Sequence, residues 1–245
     1  MGQRNFDELR EIYLHKKRAI EDSWQKRKQS KTEDEMFAIL VSCILSSKAK
    51  WSSVKKVMAK VTNGRILFEG SAVQLIDQLT GLSGRYVNTC KLAEYIVDAR
   101  QSFPFIYMIV SSIQANEIKL EPAGISSRDI GKTIGDQFLH ALNQRGISPD
   151  GLRELVLVFK GIGDKQASHF LATVGFECYA ILDVHVNKKL VKYGVISEEP
   201  KSLTRAKYRE IESKMKDFAR TVDIPFHHLD TLLWELGSGN DISAT

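Results

Sequence analysis

The chain has 245 residues, 43% of them hydrophobic, with a formal net charge of +5 and a pI near 9.0. That much apolar material builds a substantial core and excludes disorder, and the length fits one large domain or two small lobes sharing a cleft. Three widely spaced cysteines, Cys43, Cys90 and Cys178, exclude a four-cysteine iron–sulfur cluster and suggest neither a disulfide framework nor a zinc ligand pair.

The first 31 residues hold nine Lys/Arg against five Asp/Glu and contain no apolar core long enough for a signal peptide. No uninterrupted apolar run elsewhere is long enough to span a bilayer, so the expectation is a soluble intracellular protein. Residues 7 to 29 read as a polar helix with a partial stripe of Leu9, Ile12, Tyr13, Ile20 and Trp24. Thr32 and Glu35 have capping-box spacing and open "EMFAILVSCIL", which is apolar on almost every side and belongs at the centre of a bundle. "KWSSVKKVMAKV" places Trp51, Val54, Val57, Met58 and Val61 on one face. "SAVQLIDQLTGL" and "NTCKLAEYIVDARQSF" follow, with Gly70, Gly84 and Pro104 as breaks.

The signal is weakest from Phe105 to Ile125. Ser127 then caps a helix carrying Ile130, Ile134, Phe138 and Leu142, stopped by Gly146. Ser148-Pro149 starts "DGLRELVLVFK", which runs to Gly161, and another helix begins after Gly163. Thr204 opens a helix with Tyr208, Ile211, Met215 and Phe218 on one face, in a basic stretch where residues 201 to 220 hold seven Lys/Arg against three Asp/Glu. "HHLDTLLWEL" is the last helix, and no segment alternates with period two. The fold class is all-α, two helical lobes with a helix-hairpin-helix motif at the interlobe cleft. One lobe is residues 32–145 and the other 1–31 with 146–245, together a single domain.

Gly161-Ile162-Gly163 forms a tight turn in which glycine tolerates positive φ and lets a ligand approach the backbone, with Ile162 pinning the turn to the core. Amides at the start of the next helix attract a phosphate oxygen, although any glycine helix stop looks similar. Lys165 sits in the first turn of that helix, where the dipole opposes a positive charge. If the site is also partly desolvated, the dipole and desolvation would together lower an ammonium from about 10.4 and raise the population of nucleophilic amine; the alternative is a lysine that snorkels or bonds a phosphate.

Asp183 follows the apolar run Ala180-Ile181-Leu182 and heads "VHVNKKLVKYG", so it is a helix cap, a chemical group, or both. A rigidly held carboxylate suits electrostatic catalysis. His169, one turn past Lys165, reads as structural rather than as a general acid, and His227-His228 as a surface pair rather than metal ligands.

"GIGDKQASHF" followed by "AILDVHV" resembles the helix-hairpin-helix DNA glycosylase superfamily, and within it the archaeal-type 8-oxoguanine DNA glycosylase/AP lyases. "EEPKSLTRAKYREIE", "LDTLLWELGSG", "FAILVSCIL" and "RYVNTCKLAEYIVDAR" share in the resemblance, which covers most of the chain except residues 102 to 145. It implies that Lys165 is the Schiff-base lysine and Asp183 the catalytic aspartate. It also implies that Gly161 and Gly163 grip the DNA backbone and that Trp234 lies at the base pocket; Ile162, Lys48 and His185 are further candidate DNA-binding residues. Burial in the core is the rival for Trp234.

The implied reaction is excision of 8-oxoguanine, with the base flipped out of the duplex, followed by β-elimination through the lysine Schiff base. No metal or other cofactor performs it, although the resemblance implies a monovalent cation in the hairpin. The expected partner is double-stranded DNA with an oxidised base, met by a monomer and with no membrane. The chain departs from the family pattern at Ala172, Thr173 and Val184, where the family has polar or basic residues, at Ser46, Ser47 and Lys48, and in having no lysine after Lys216. The rivals are a glycosylase for another damaged base, a non-catalytic helix-hairpin-helix module, and an unrelated helical scaffold.

Overall fold

The computed structural model describes residues 2–84, 87–126 and 136–239, and among these it has twelve helices and one short strand. In chain order they are α1 (Gly2–Lys28), α2 (Glu33–Ser46), α3 (Trp51–Asn63), α4 (Ile66–Glu69), α5 (Ala72–Leu79), α6 (Thr89–Gln114), β1 (Leu120–Ile125), α7 (Asp136–Arg145), α8 (Pro149–Val156), α9 (Asp164–Thr173), α10 (Val184–Lys192), α11 (Arg205–Thr221) and α12 (Phe226–Ser238). The chain divides into two compact units, Ser30–Phe170 and a terminal unit of Met1–Gln29 with Leu171–Thr245.

In the central unit the Thr32/Glu35 capping box is formed, and α2 buries Met36, Phe37, Leu40, Val41, Cys43, Ile44 and Leu45. On α3, Val54, Val57, Met58 and Val61 are buried, but Trp51, expected on the same face, is 44% exposed because it opens the first turn, ahead of the packed face. Helix α6 does not break at Pro104. It continues to Gln114 with Phe103, Ile106, Ile109, Val110 and Ile113 buried. Each such burial is worth about 1.5–3 kcal/mol, which together outweighs the ~3 kcal/mol a helix-interior proline costs.

The segment after α6 carries β1, which no alternation announced. Ser148 N–H donates to the Ile125 carbonyl at 2.9 Å, Ile125 N–H to Gly146 at 3.0 Å, and Ile147 N–H to Lys119 at 2.9 Å. Added Cβ atoms on Gly124 or Gly151 would strike the backbone of Ile147 or Ile125, so the two stretches need glycine to approach this closely. Phe103 packs against Phe159 and Phe170, with ring centroids 6.2 and 6.4 Å away. These contacts place residues 146–170 in the central unit, where the sequence division had assigned them to the terminal lobe. The Ser127 cap, Ile130 and Ile134 lie outside the described residues, as do Arg85, Tyr86 and the tail from Asn240.

The terminal unit has its own core, in which Leu9, Tyr13, Ile20 and Trp24 of α1 meet Tyr208, Ile211, Met215, Leu229, Leu232 and Leu233. Trp24 Nε1–H donates to Thr231 Oγ1 at 3.0 Å. His227 and His228 are not a surface pair. His228 is 6% exposed and shares a 2.8 Å hydrogen bond with the Tyr13 hydroxyl, while burial pushes His227 down to about 4 against the opposing pull of Glu177. Both rings touch α1, His228 through Tyr13 and His227 edge-on against the Trp24 ring. No group of three or more His, Cys, Asp or Glu able to hold a metal ion occurs among the described residues, and none of their helices is long and apolar enough to cross a membrane.

Candidate active site

In the central unit, α8 begins at Ser148, whose side chain accepts from Gly151 N–H at 3.0 Å with Pro149 at the first helical position. The helix stops at Val156, five residues before Gly161, and turns carry the chain onward. Gly161 has φ +86°, the left-handed region the turn was expected to need. A Cβ there would also meet Tyr95 Cδ2 of α6 at 2.9 Å and Ile44 Cγ2 of α2 at 3.3 Å, so the turn is wedged against two helices.

Gly163 differs: it is exposed, is not among the positive-φ glycines, and a Cβ would touch only Gln166 Oε1 at 3.4 Å. Its missing side chain leaves the backbone open instead of relieving strain. Ile162 is half-buried, so it pins the turn only in part. Ala167 N–H donates to Gly163 O at 2.9 Å, so the preceding amides stand ahead of the helical ladder of α9.

Lys165 is the second residue of α9 and is half-buried. Burial pushes the Cys43 thiol of α2 up to about 12, and the Lys165 charge acts in the opposite direction, which puts the ammonium within electrostatic reach of that thiol. One turn on, His169 packs against Trp51 with ring centroids 6.0 Å apart. Lys48 is exposed in the loop between α2 and α3. That loop is braced by Lys50 N–H donating to Ser83 O at 2.7 Å and by the backbone of Gly84, where an added Cβ would strike the Lys48 carbonyl. The sequence marked Gly84 only as a break, and its real role is this close approach.

In the terminal unit, Asp183 is the N-cap of α10, with Oδ1 accepting from Val186 N–H at 2.8 Å. His185 Nδ1 lies 3.1 Å from the Gly237 carbonyl, which fixes the proton on Nδ1 and turns Nε2 away from that contact. Gly237 is needed there, since its Cβ would stand 2.9 Å from His185 Cβ. Trp234 is half-buried against the core of this unit, so part of its surface serves packing.

Tyr208, which the sequence placed on an apolar helix face, and Glu212 and Asp230, to which it gave no role, reach the backbone just before Asp183. Burial pushes the Asp230 carboxyl up to about 7, opposed by the Ile181 amide and Arg27 and aided by the charges of Asp183 and Glu212. The only signal was an aspartate on an otherwise apolar helix face.

Many cations of the basic ends are engaged internally. Lys16 pairs with Glu235 at 2.6 Å, Lys28 with Glu177, Lys214 with Glu210 at 2.6 Å, and Arg10 donates to the Val222 and Thr221 carbonyls. Two cavities of about 510 and 470 Å³ flank Asp223 and Pro225 and are lined by none of the site residues. Lys165 lies in the first turn of α9 in the central unit and Asp183 caps α10 in the terminal unit, each on tightly fixed backbone.

A family model described as 8-oxoguanine DNA glycosylase matches residues 16–122 and 126–224. An 8-oxoguanine DNA glycosylase/AP lyase of Korarchaeum cryptofilum is 31% identical over 221 residues, covering 90% of this chain and 88% of that protein. Its counterpart from Methanocaldococcus jannaschii is 30% identical over 237 residues, with 94% and 97% covered. The crystal structure of the M. jannaschii glycosylase/lyase in complex with a 15mer DNA containing 8-oxoguanine is similar to this fold, with a TM-score of 0.70 and 27% identity over 97% of this chain and 99% of that one.

Proposed function

This chain belongs to the 8-oxoguanine DNA glycosylase family, and we propose that it acts through Lys165 and Asp183. It is a bifunctional DNA glycosylase/AP lyase that excises 8-oxoguanine, and DNA is its partner. The observation that carries the residue assignment is the position of Lys165, half-buried in the first turn of a helix entered through a left-handed glycine, where the helix dipole opposes a positive charge.

With the damaged nucleotide extrahelical, the neutral Lys165 amine attacks the sugar C1′. The C1′–N9 bond breaks, the base departs with the electron pair, and loss of a proton and ring opening give the imine. Asp183 stabilises the positive charge that develops on the sugar, its orientation held by the capping bond to Val186. Removal of a C2′ proton from the imine then expels the 3′ phosphate and nicks the strand.

The exposed backbone at Gly163 and the amides opening α9 suit a phosphate oxygen, and Lys48 adds a charge on a braced loop. His185, with its Nδ1–H held by the Gly237 carbonyl, leaves Nε2 as an acceptor for a base N–H or a water on the DNA, and the exposed part of Trp234 offers a stacking face for the base. A monovalent cation suits the hairpin. The Phe159 and Gly163 carbonyls are taken by Ile162 and Ala167 amides, so the hard oxygens of Lys160, Gly161 and Ile162 are those that would hold it. Such an ion would fix the turn's shape. The enzyme acts as a monomer inside the cell.

The test is single-turnover excision on a duplex with one 8-oxoguanine, beside strand cleavage at a preformed abasic site. Lys165→Gln should lose both activities and Asp183→Asn should lose most of both, with DNA affinity retained. Full excision by Lys165→Gln would overturn the assignment.

A further inference from the structure

The segment 180–182 leads directly into Asp183 and belongs to neither helix nor strand, so its buried or half-buried amides have no ladder to join. Three consecutive amides find side chains instead. Ala180 N–H donates to Glu212 Oε1 at 3.0 Å, Ile181 N–H to Asp230 Oδ1 at 3.0 Å, and Leu182 N–H to the Tyr208 hydroxyl at 3.2 Å. The same hydroxyl donates to the Ala180 carbonyl at 2.6 Å. Asp183 N–H then bonds the Ile181 carbonyl at 2.7 Å, immediately before its own carboxylate caps α10.

The choice of groups is costly for mere packing. Tyr208, Glu212 and Asp230 are 1%, 5% and 3% exposed, and two of them are carboxylates turned toward neutral amides. A buried backbone N–H left without an acceptor is costly, so each of these oxygens is tied to its amide. Each acceptor meets one N–H, so the three side chains together permit one arrangement of the segment. Tyr208 adds a bond at each end of the same short stretch.

We propose that Asp230, together with Glu212 and Tyr208, is a positioning residue for Asp183. The three side chains clamp the backbone leading into Asp183, so that its carboxylate meets the reacting sugar in one orientation. This rests on the assignment of Asp183 to the reaction, and it adds three residues that act only through it.

The experiment compares Asp230→Ala, Asp230→Asn and Tyr208→Phe with the unaltered enzyme in single-turnover excision of 8-oxoguanine, each also in the Asp183→Asn background. Thermal midpoint and affinity for the uncleaved duplex are measured in parallel. A misplacement on the order of 1 Å costs about 100-fold in rate, so Asp230→Ala and Tyr208→Phe should lose roughly 10- to 100-fold in excision rate with DNA affinity unchanged. Asp230→Asn, which keeps an acceptor for Ile181, should recover most of the rate. In the Asp183→Asn background the residual rate should not fall further.

Equal losses with and without Asp183, or a rate near that of the unaltered enzyme in Tyr208→Phe and Asp230→Ala, would overturn the proposal. If Asp230→Ala does not fold, Tyr208→Phe, which removes a single oxygen, carries the same comparison. Should Asp183→Asn itself excise normally, the underlying assignment fails. Should Asp183→Asn be impaired while the clamp variants are not, only the positioning role fails.

Discussion

Two glycines flank Ile162, and the structure gives them different reasons to be glycine. Gly161 has φ +86°, where an L side chain costs about 1–2 kcal/mol. A methyl there would also sit 2.9 Å from a Tyr95 ring carbon and 3.3 Å from an Ile44 methyl, an overpacking cost of about 1–3 kcal/mol. Gly161→Ala should therefore lose about 2–5 kcal/mol of stability. Gly163 has no such φ, and its added methyl would make only an ordinary contact with the end of a flexible glutamine, 3.4 Å away. Gly163→Ala should stay within about 1 kcal/mol, in either direction. Urea denaturation followed by circular dichroism reads both, with the midpoint falling for Gly161→Ala and nearly unmoved for Gly163→Ala. A duplex-binding titration completes the comparison, because Gly163→Ala should weaken DNA binding while leaving stability alone. Equal destabilisation by the two substitutions, or a stable Gly161→Ala, would refute the reasoning from φ and packing.

Asp183→Asn keeps an oxygen to cap α10 whereas Asp183→Ala does not, so thermal denaturation should show the alanine variant less stable by about 1 kcal/mol while both lose excision. Lys48→Ala should lower duplex affinity and reduce the slope of log K against log salt by about 0.9, the value for one phosphate contact, read by fluorescence anisotropy at several salt concentrations. The Asp230 carboxyl titrates near 7 in the folded protein, above the unfolded value of about 3.9, so the folded state holds the extra proton between these limits. The contribution of this group to stability is full below pH ~4, declines as pH rises toward ~7, and is flat above. The difference in urea midpoint between the unaltered protein and Asp230→Asn should follow that profile, isolating it from His227, which has the opposite sign.

What was legible in the sequence was what short-range chemistry decides. The Thr32/Glu35 box, Ser148-Pro149, the Thr204 cap and Asp183 at the head of α10 each need only three or four neighbouring residues, and each was formed. The hairpin between α8 and α9 and the left-handed Gly161 follow from the same local reasoning. Long-range contacts were invisible. Pro104 stays helical because side chains around it are buried by distant partners, and residues 146–170 join the central unit through backbone bonds to β1 and rings around Phe103. Tyr208, Glu212 and Asp230 lie 26 to 49 residues from the amides they hold, so helical spacing alone read Tyr208 as core and gave Glu212 and Asp230 no role. His228 was misjudged for the same reason, its partner Tyr13 lying 215 residues away.

The claim on which the mechanism turns is that Lys165 forms a covalent imine with the sugar of the damaged nucleotide. Borohydride reduction during turnover on an 8-oxoguanine duplex converts that imine to a stable amine, and peptide mass spectrometry locates the attachment. The mechanism predicts a single adduct on Lys165, absent in Lys165→Gln. An adduct on another lysine, or excision with no trappable adduct, would contradict it.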